Sequence, residues 1–98
     1  MKIDMIKNDR YLEIVLEGRL DTTTAPELEN KMNELEEIDN LVLNFEKLNY
    51  ISSAGLRVLL SMQKVMNKQG KMLIINVSDN VRDVFEVTGF NDILNIQD

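Results

Sequence analysis

Residues 49–60 read Asn-Tyr-Ile-Ser-Ser-Ala-Gly-Leu-Arg-Val-Leu-Leu. Just before them, Leu41-Val42-Leu43-Asn44-Phe45 is a short apolar run of strand length, which predicts a strand over 40–45 covered on both faces. After the serines, helical periodicity runs to about Gln69. Arg57, Ser61, Lys64 and Lys68 fall at i, i+4, i+7 and i+11 and form a narrow polar face. Leu56, Val58, Leu59, Leu60, Met62, Val65 and Met66 fill the rest. So wide an apolar arc predicts heavy burial against a sheet. Gly70 sits where a C′ glycine ends a helix. Ser52 and Ser53 therefore stand between a parallel strand and the helix that follows it.

Working outward, residues 2–7 alternate, Asn8-Asp9-Arg10 reads as a turn, and residues 11–17 place Leu12, Ile14 and Leu16 on one face. The pair predicts a hairpin, with Gly18 breaking its second strand. Thr24 and Glu27 have capping-box spacing, Pro26 suits a first turn, and Ala25, Leu28, Met32 and Leu35 recur at helical spacing, predicting a helix over 24–37. Residues 71–76 read as another covered strand. Ser78 is a candidate N-cap for a short helix that Gly89 ends, and Phe90, Ile93, Leu94 and Ile96 supply a final strand or docking segment. The order is ββαβαβα plus a C-terminal segment, an α/β arrangement with parallel pairing and right-handed crossovers.

The chain has 98 residues, enough for one domain over 1–98 and one modest core. Seventeen acidic against 11 basic residues give a net charge of −6, which argues against a general nucleic-acid binder. With no Cys and no His, disulfides, thiol nucleophiles, imidazole and thiolate metal sites and His-based catalysis are closed. No apolar run approaches the roughly 20 residues of a bilayer span, so no membrane insertion is expected. Met1-Lys2-Ile3-Asp4 lacks an apolar signal core, and the expected compartment is the cytoplasm.

Chemistry can gather at two polar clusters. Ser52 and Ser53 lie at a strand's carboxyl end and a helix start, where free N–H groups and the helix dipole tolerate a bound or covalent phosphate. They equally suit a plain N-cap. The segment has no P-loop pattern, and no His exists to activate a serine. Asp21-Thr22-Thr23-Thr24 also joins a strand to a helix and reads either as a capping turn or as part of the same sheet edge. Glu34, Glu36, Glu37 and Asp39 read as a solvated helix end rather than a metal site, and the six methionines as core filling. No cofactor is implied.

Ile51-Ser52-Ser53-Ala54-Gly55-Leu56-Arg57-Val58-Leu59-Leu60, preceded by Asn49-Tyr50, resembles the central motif of the STAS domain family. Gly18-Arg19-Leu20-Asp21-Thr22-Thr23-Thr24-Ala25 resembles that family's other landmark. The likeness extends over the whole chain and is of the bacterial anti-sigma factor antagonist type. It implies a mixed, mostly parallel sheet with helices mainly on one face. It also implies a regulatory binding module rather than an enzyme. The unphosphorylated form would bind an anti-sigma factor that is also a serine kinase, that kinase would phosphorylate one serine, and a phosphatase would reverse it. The family motif often reads Asp-Ser-Ser/Thr-Gly-Leu, with the first hydroxyl modified. Anchored on Gly55-Leu56, this makes Ser53 the phosphoacceptor, puts Ser52 in place of the aspartate and Ala54 at the second hydroxyl position. The implied partner-binding surface comprises Asp21, Thr22, Thr23, Ser52, Ala54, Gly55, Leu56 and Arg57. The alternative is an accessory or structural STAS subunit of a transport or stress-sensing complex, with no phosphorylation switch.

Overall fold

Alternating apolar residues build the hairpin as the sequence predicts. In the computed structural model, which describes residues 1–97, β1 (Lys2–Asn8) pairs antiparallel with β2 (Tyr11–Leu20), Lys2 opposite Glu17 and Asn8 opposite Tyr11. Asp98, the last residue of the expected domain, lies outside the described residues. Gly18 does not end β2. The strand bends there, between two register shifts, and continues to Leu20.

β3 (Asn40–Ile51) also outruns its expected end at Phe45, because two register shifts, one between the Asn44 and Lys47 pairs and one between the Leu48 and Tyr50 pairs, carry its pairing with β2 through the polar stretch. β2 and β3 run parallel, from Tyr11 opposite Asn40 to Leu20 opposite Ile51. β4 (Lys71–Ile75) pairs parallel with the other side of β3, giving the sheet order β1-β2-β3-β4. Leu12, Ile14, Leu16, Leu41, Leu43, Phe45, Met72 and Ile74 form the buried face of this sheet.

The helices lie on that face. The expected helix over 24–37 is instead α1 (Ala25–Glu29) followed by a separate 3-10 turn at Met32–Leu35. The reason is the spacing of Met32, Leu35 and Ile38. Side chains three apart align on a 3-10 turn and drift on an α-helix. Leu35 and Ile38 are fully buried, and the Gln69 side-chain amide donates to both of their carbonyls, at 2.7 and 2.6 Å. The Thr24–Glu27 capping box does not form, since the Thr24 hydroxyl turns back to β2.

α2 (Ser53–Asn67) packs as its apolar arc requires, with Leu56, Val58, Leu59, Met62 and Met66 buried. Gly70 is not its left-handed cap. Lys68 ends the helix in right-handed geometry, and Gly70 is glycine because a Cβ would strike the Asp39 backbone. α3 (Asp79–Thr88) is capped by the Ser78 hydroxyl, which accepts from Val81 N, and ends at left-handed Gly89. Phe85 stacks on Phe45 at 6.4 Å. The C-terminal segment docks through buried Leu94 and a parallel bridge of Ile96 to Ile74, while Ile93 points outward. Among the described residues, the opposite sheet face carries no helix. Tyr11, Glu13, Val15, Asn44, Leu73 and Ile75 are only half-buried there, so the 40–45 and 71–76 strands are covered on one face, not two.

Gly55 sets how closely α2 approaches the strand ends. A Cβ there would lie 2.7 Å from Leu20 Cγ and 2.9 Å from Ile51 Cγ1. Overpacking costs about 1–3 kcal/mol, against a helix-propensity gain of about 1 kcal/mol for Ala over Gly. Gly55→Ala should therefore lower stability by about 1 kcal/mol net. A urea titration checks this, and an unchanged or raised midpoint would show that Leu20 and Ile51 give way.

Candidate functional site

Parallel pairing of β2 with β3 brings the two polar clusters to one edge. Leu20 and Ile51 are the last paired residues, and the Ser52 amide donates to the Leu20 carbonyl at 2.9 Å. Asp21 and Ser52 thus leave the sheet side by side.

Asp21 organises its loop. Its Oδ1 accepts from the Thr23 hydroxyl at 2.8 Å, from Thr23 N at 3.0 Å and from Thr24 N at 3.2 Å. The Thr24 hydroxyl accepts from Asp21 N at 2.8 Å and donates to the Arg19 carbonyl at 2.7 Å. The Thr23 hydroxyl, opposed by partial desolvation and aided by the two backbone amides, holds the Asp21 carboxyl down at about 2. The carboxylate is thereby occupied inside the turn, while Thr22 and Thr23 are exposed at its tip.

The two serines part company. Ser52 is the N-cap residue, with extended backbone at φ −105° and ψ 176°. Its hydroxyl is buried and makes no hydrogen bond, so it neither caps the helix nor bonds the local backbone. Ser53, the first helical residue, is exposed, and its hydroxyl makes no hydrogen bond among the described residues. Leu56 N bonds to the Ser52 carbonyl, and the amides of Ser53, Ala54 and Gly55 before it have no backbone acceptor among the described residues. Ser53 therefore presents a free nucleophilic oxygen beside open N–H donors at the positive end of a 15-residue helix.

Of the other expected site residues, Ala54 is half-buried and Arg57 exposed, whereas Gly55 and Leu56 are buried. Gly55 and Leu56 serve the site by seating the first turn. Arg57, Ala54, Thr22, Glu29 and Ser61 line a shallow cleft of about 240 Å³ between α1 and α2.

One pair escaped the reading of the sequence. The register shift after Gly18 sets Arg19 opposite Tyr50, and its guanidinium lies 4.0 Å from the ring centroid. Arg19 Nε also lies 3.6 Å from Asp21 Oδ2. Both residues stand in the quoted motifs, but only the register of the bulged strands brings them together.

Two expectations follow for this edge. The Asp21 carboxyl titrates lower in the folded chain than its ordinary 3.8, so its stabilisation is complete above 3.8 and lost as pH falls through about 2. Thermal melts should show Asp21→Asn less stable than the original chain near neutral pH, with the gap closing across that interval. Ser52→Ala should be neutral or slightly stabilising, within about 0.5 kcal/mol in a urea titration, because it removes a buried hydroxyl that pairs with nothing. A loss well above that would assign Ser52 a capping bond.

Comparison with known proteins places this geometry in a family. The family model described as STAS domain matches residues 2–98. The anti-sigma-B factor antagonist of Staphylococcus aureus (strain NCTC 8325 / PS 47) is 30% identical over 101 residues, covering 100% of this chain and 94% of that protein. The Bacillus cell fate determinant SpoIIAA in its phosphorylated form superposes with a TM-score of 0.75 at 20% identity, covering 99% of this chain and 92% of that one. A sulfate transporter family protein from Wolinella succinogenes superposes at 0.78 with 21% identity, covering 92% of this chain and 75% of that one. The two structures share the fold, and the curated relative matches from end to end. The chain belongs to the STAS domain family.

Proposed function

We propose that this protein is a cytoplasmic anti-sigma factor antagonist switched by phosphorylation of Ser53. Unphosphorylated, it binds an anti-sigma factor that is also a serine kinase and so keeps that factor from its sigma subunit. The kinase moves the γ-phosphoryl group of ATP to Ser53 Oγ. The new P–O bond replaces the one to ADP, and the hydroxyl proton passes to the kinase. A phosphatase returns the serine by adding water and releasing inorganic phosphate.

The observation that carries the reading is the division of labour between the serines. Ser53 is exposed with a free hydroxyl at the edge shared with the 21–24 loop, whereas the Ser52 hydroxyl is buried. The end-to-end similarity to a staphylococcal antagonist supports it. So does the fold shared with SpoIIAA, whose structure is known in a phosphorylated form. The proposed partner-facing residues are Thr22, Thr23, Ala54 and Arg57, with Asp21 and Ser52 as their supports. Phosphate adds about −1.5 to −2 charges at pH 7. At a helix N-terminus that charge leaves the domain folded. A docked partner instead meets a desolvated dianion on a chain whose net charge is already −6.

A second reading, an accessory domain of a transport complex, rests on the fold shared with the Wolinella protein. Co-purification with a transporter ATPase would favour it, and co-purification with a small ATP-dependent serine kinase favours the first.

With the cognate kinase and ATP, site-localised mass spectrometry should find phosphate on Ser53. Ser53→Ala should abolish incorporation and Ser52→Ala should not. Ser53→Ala should keep its partner and change stability by less than about 0.5 kcal/mol, because the hydroxyl caps nothing. Ser53→Asp should weaken the complex without unfolding the chain. Phosphate on Ser52 that persists in Ser53→Ala would refute the assignment, and equal binding by the original chain and Ser53→Asp would count against the switch.

A further inference from the structure

Arg57 stands four residues beyond Ser53 on the exposed stripe of α2. Side chains at this spacing have Cβ atoms about 5–6 Å apart. Helical Cα–Cβ bonds tilt toward the N-terminus, and long side chains lie over the preceding turn. Arg57 thus leans toward the turn that begins with Ser53, and it shares a cleft wall with Ala54 of that turn. Arg10 holds Asp39 at 3.0 Å and Arg19 lies 3.6 Å from Asp21, but Arg57 has no ion pair among the described residues. Glu29 lines the same cleft from α1, and the Asp21 carboxylate at the same edge is occupied by Thr23 and Thr24.

We propose that Arg57 is the built-in counter-ion of phosphorylated Ser53: the phosphate draws the guanidinium back over the first turn of α2 and withdraws it from the partner-facing surface. The proposal rests on the reading of Ser53 as phosphoacceptor. The order is favourable, since an anion four residues N-terminal to a cation is the better arrangement on a helix. The chemistry matches too, because a guanidinium offers two parallel N–H donors to a phosphate. The free amides of Ser53, Ala54 and Gly55 face the same group. Modification then changes the edge twice. It adds a dianion, and it removes the cation that an acidic partner surface would have met. A phosphate held in this way also resists protonation, so the dianionic form persists to lower pH.

The test places phosphoserine at position 53 of the full chain during synthesis, without any kinase. Its outcome is therefore independent of whether a kinase modifies Ser53. Phosphorus NMR then follows the second ionisation of the phosphate, which lies near pH 6 for a free phosphoserine. Arg57→Gln should raise that pKa by about 0.3 or more, which is about 0.4 kcal/mol, the size of a helical ion pair. Arg57→Lys should keep most of the lowering. The difference should shrink in about 1 M salt, where the screening length is about 3 Å. Lys64→Gln removes the same charge about 16 Å along the helix from Ser53 and should leave the value unchanged. Equal values in the original chain and Arg57→Gln at low salt would overturn the proposal, as would an equal rise in Lys64→Gln.

Discussion

The hydrogen bond from the Ser52 amide to the Leu20 carbonyl, 2.9 Å long, ties together the ends of two parallel strands, and the site is built on that tie. It forms only because β2 and β3 stay paired through their bulges to the last pair, Leu20 with Ile51. Both residues turn inward and are buried, and Gly55 rests against their side chains. A shorter β2, ended at Gly18, would leave the Asp21 loop and the start of α2 without a common anchor. The fold thus converts strand register into the juxtaposition of two loops.

Electrostatics at that edge are arranged in layers. The Asp21 carboxylate is held by Thr23 and Thr24 and acts as a brace for its loop. Arg19 partly neutralises it while lying over Tyr50. Toward solvent the edge shows Thr22 and Thr23, the helix N-terminus, the Ser53 hydroxyl and the Arg57 cation. A molecule of net charge −6 therefore presents here an edge that bears hydroxyls, a helix N-terminus and an exposed cation. A phosphate added to Ser53, as proposed, would meet the favourable end of the helix dipole.

Periodicity reveals much of this and fails at identifiable places. The alternation of Leu12, Ile14 and Leu16 and the broad arc of α2 are strong signals because one face of each is fully buried. The segment after α1 misleads because Met32, Leu35 and Ile38 satisfy a three-residue period, and its fixing partner is Gln69, more than 30 positions away, which donates to the Leu35 and Ile38 carbonyls. The ends of β2 and β3 are invisible to alternation because bulges shift it. The Arg19–Tyr50 stack inherits the same blindness, being a consequence of those shifts. The second sheet face misleads in another way. Apolar Val42 and Leu73 suggest a covering layer, yet Val42 is shielded without one, in a strand whose Asn44 side chain donates to Glu13 across the open face at 3.1 Å.

Adjacent serines pose a problem that composition cannot resolve, since both types of position favour Ser. The backbone resolves it. Ser52 is still extended, so its side chain points back among the strand ends. Ser53 has entered the helix, so its side chain follows the outward stripe it shares with Arg57, Ser61 and Lys64. A change of backbone state between neighbouring residues thus hides one hydroxyl and displays the other. The proposed switch at Ser53 would act on an edge held from two sides: Gly55 packs the first turn against the strand ends, and Asp21 braces the neighbouring loop. On the proposed reading, a charge added to an edge so held would be felt by whatever docks against it rather than being absorbed by rearrangement of the domain.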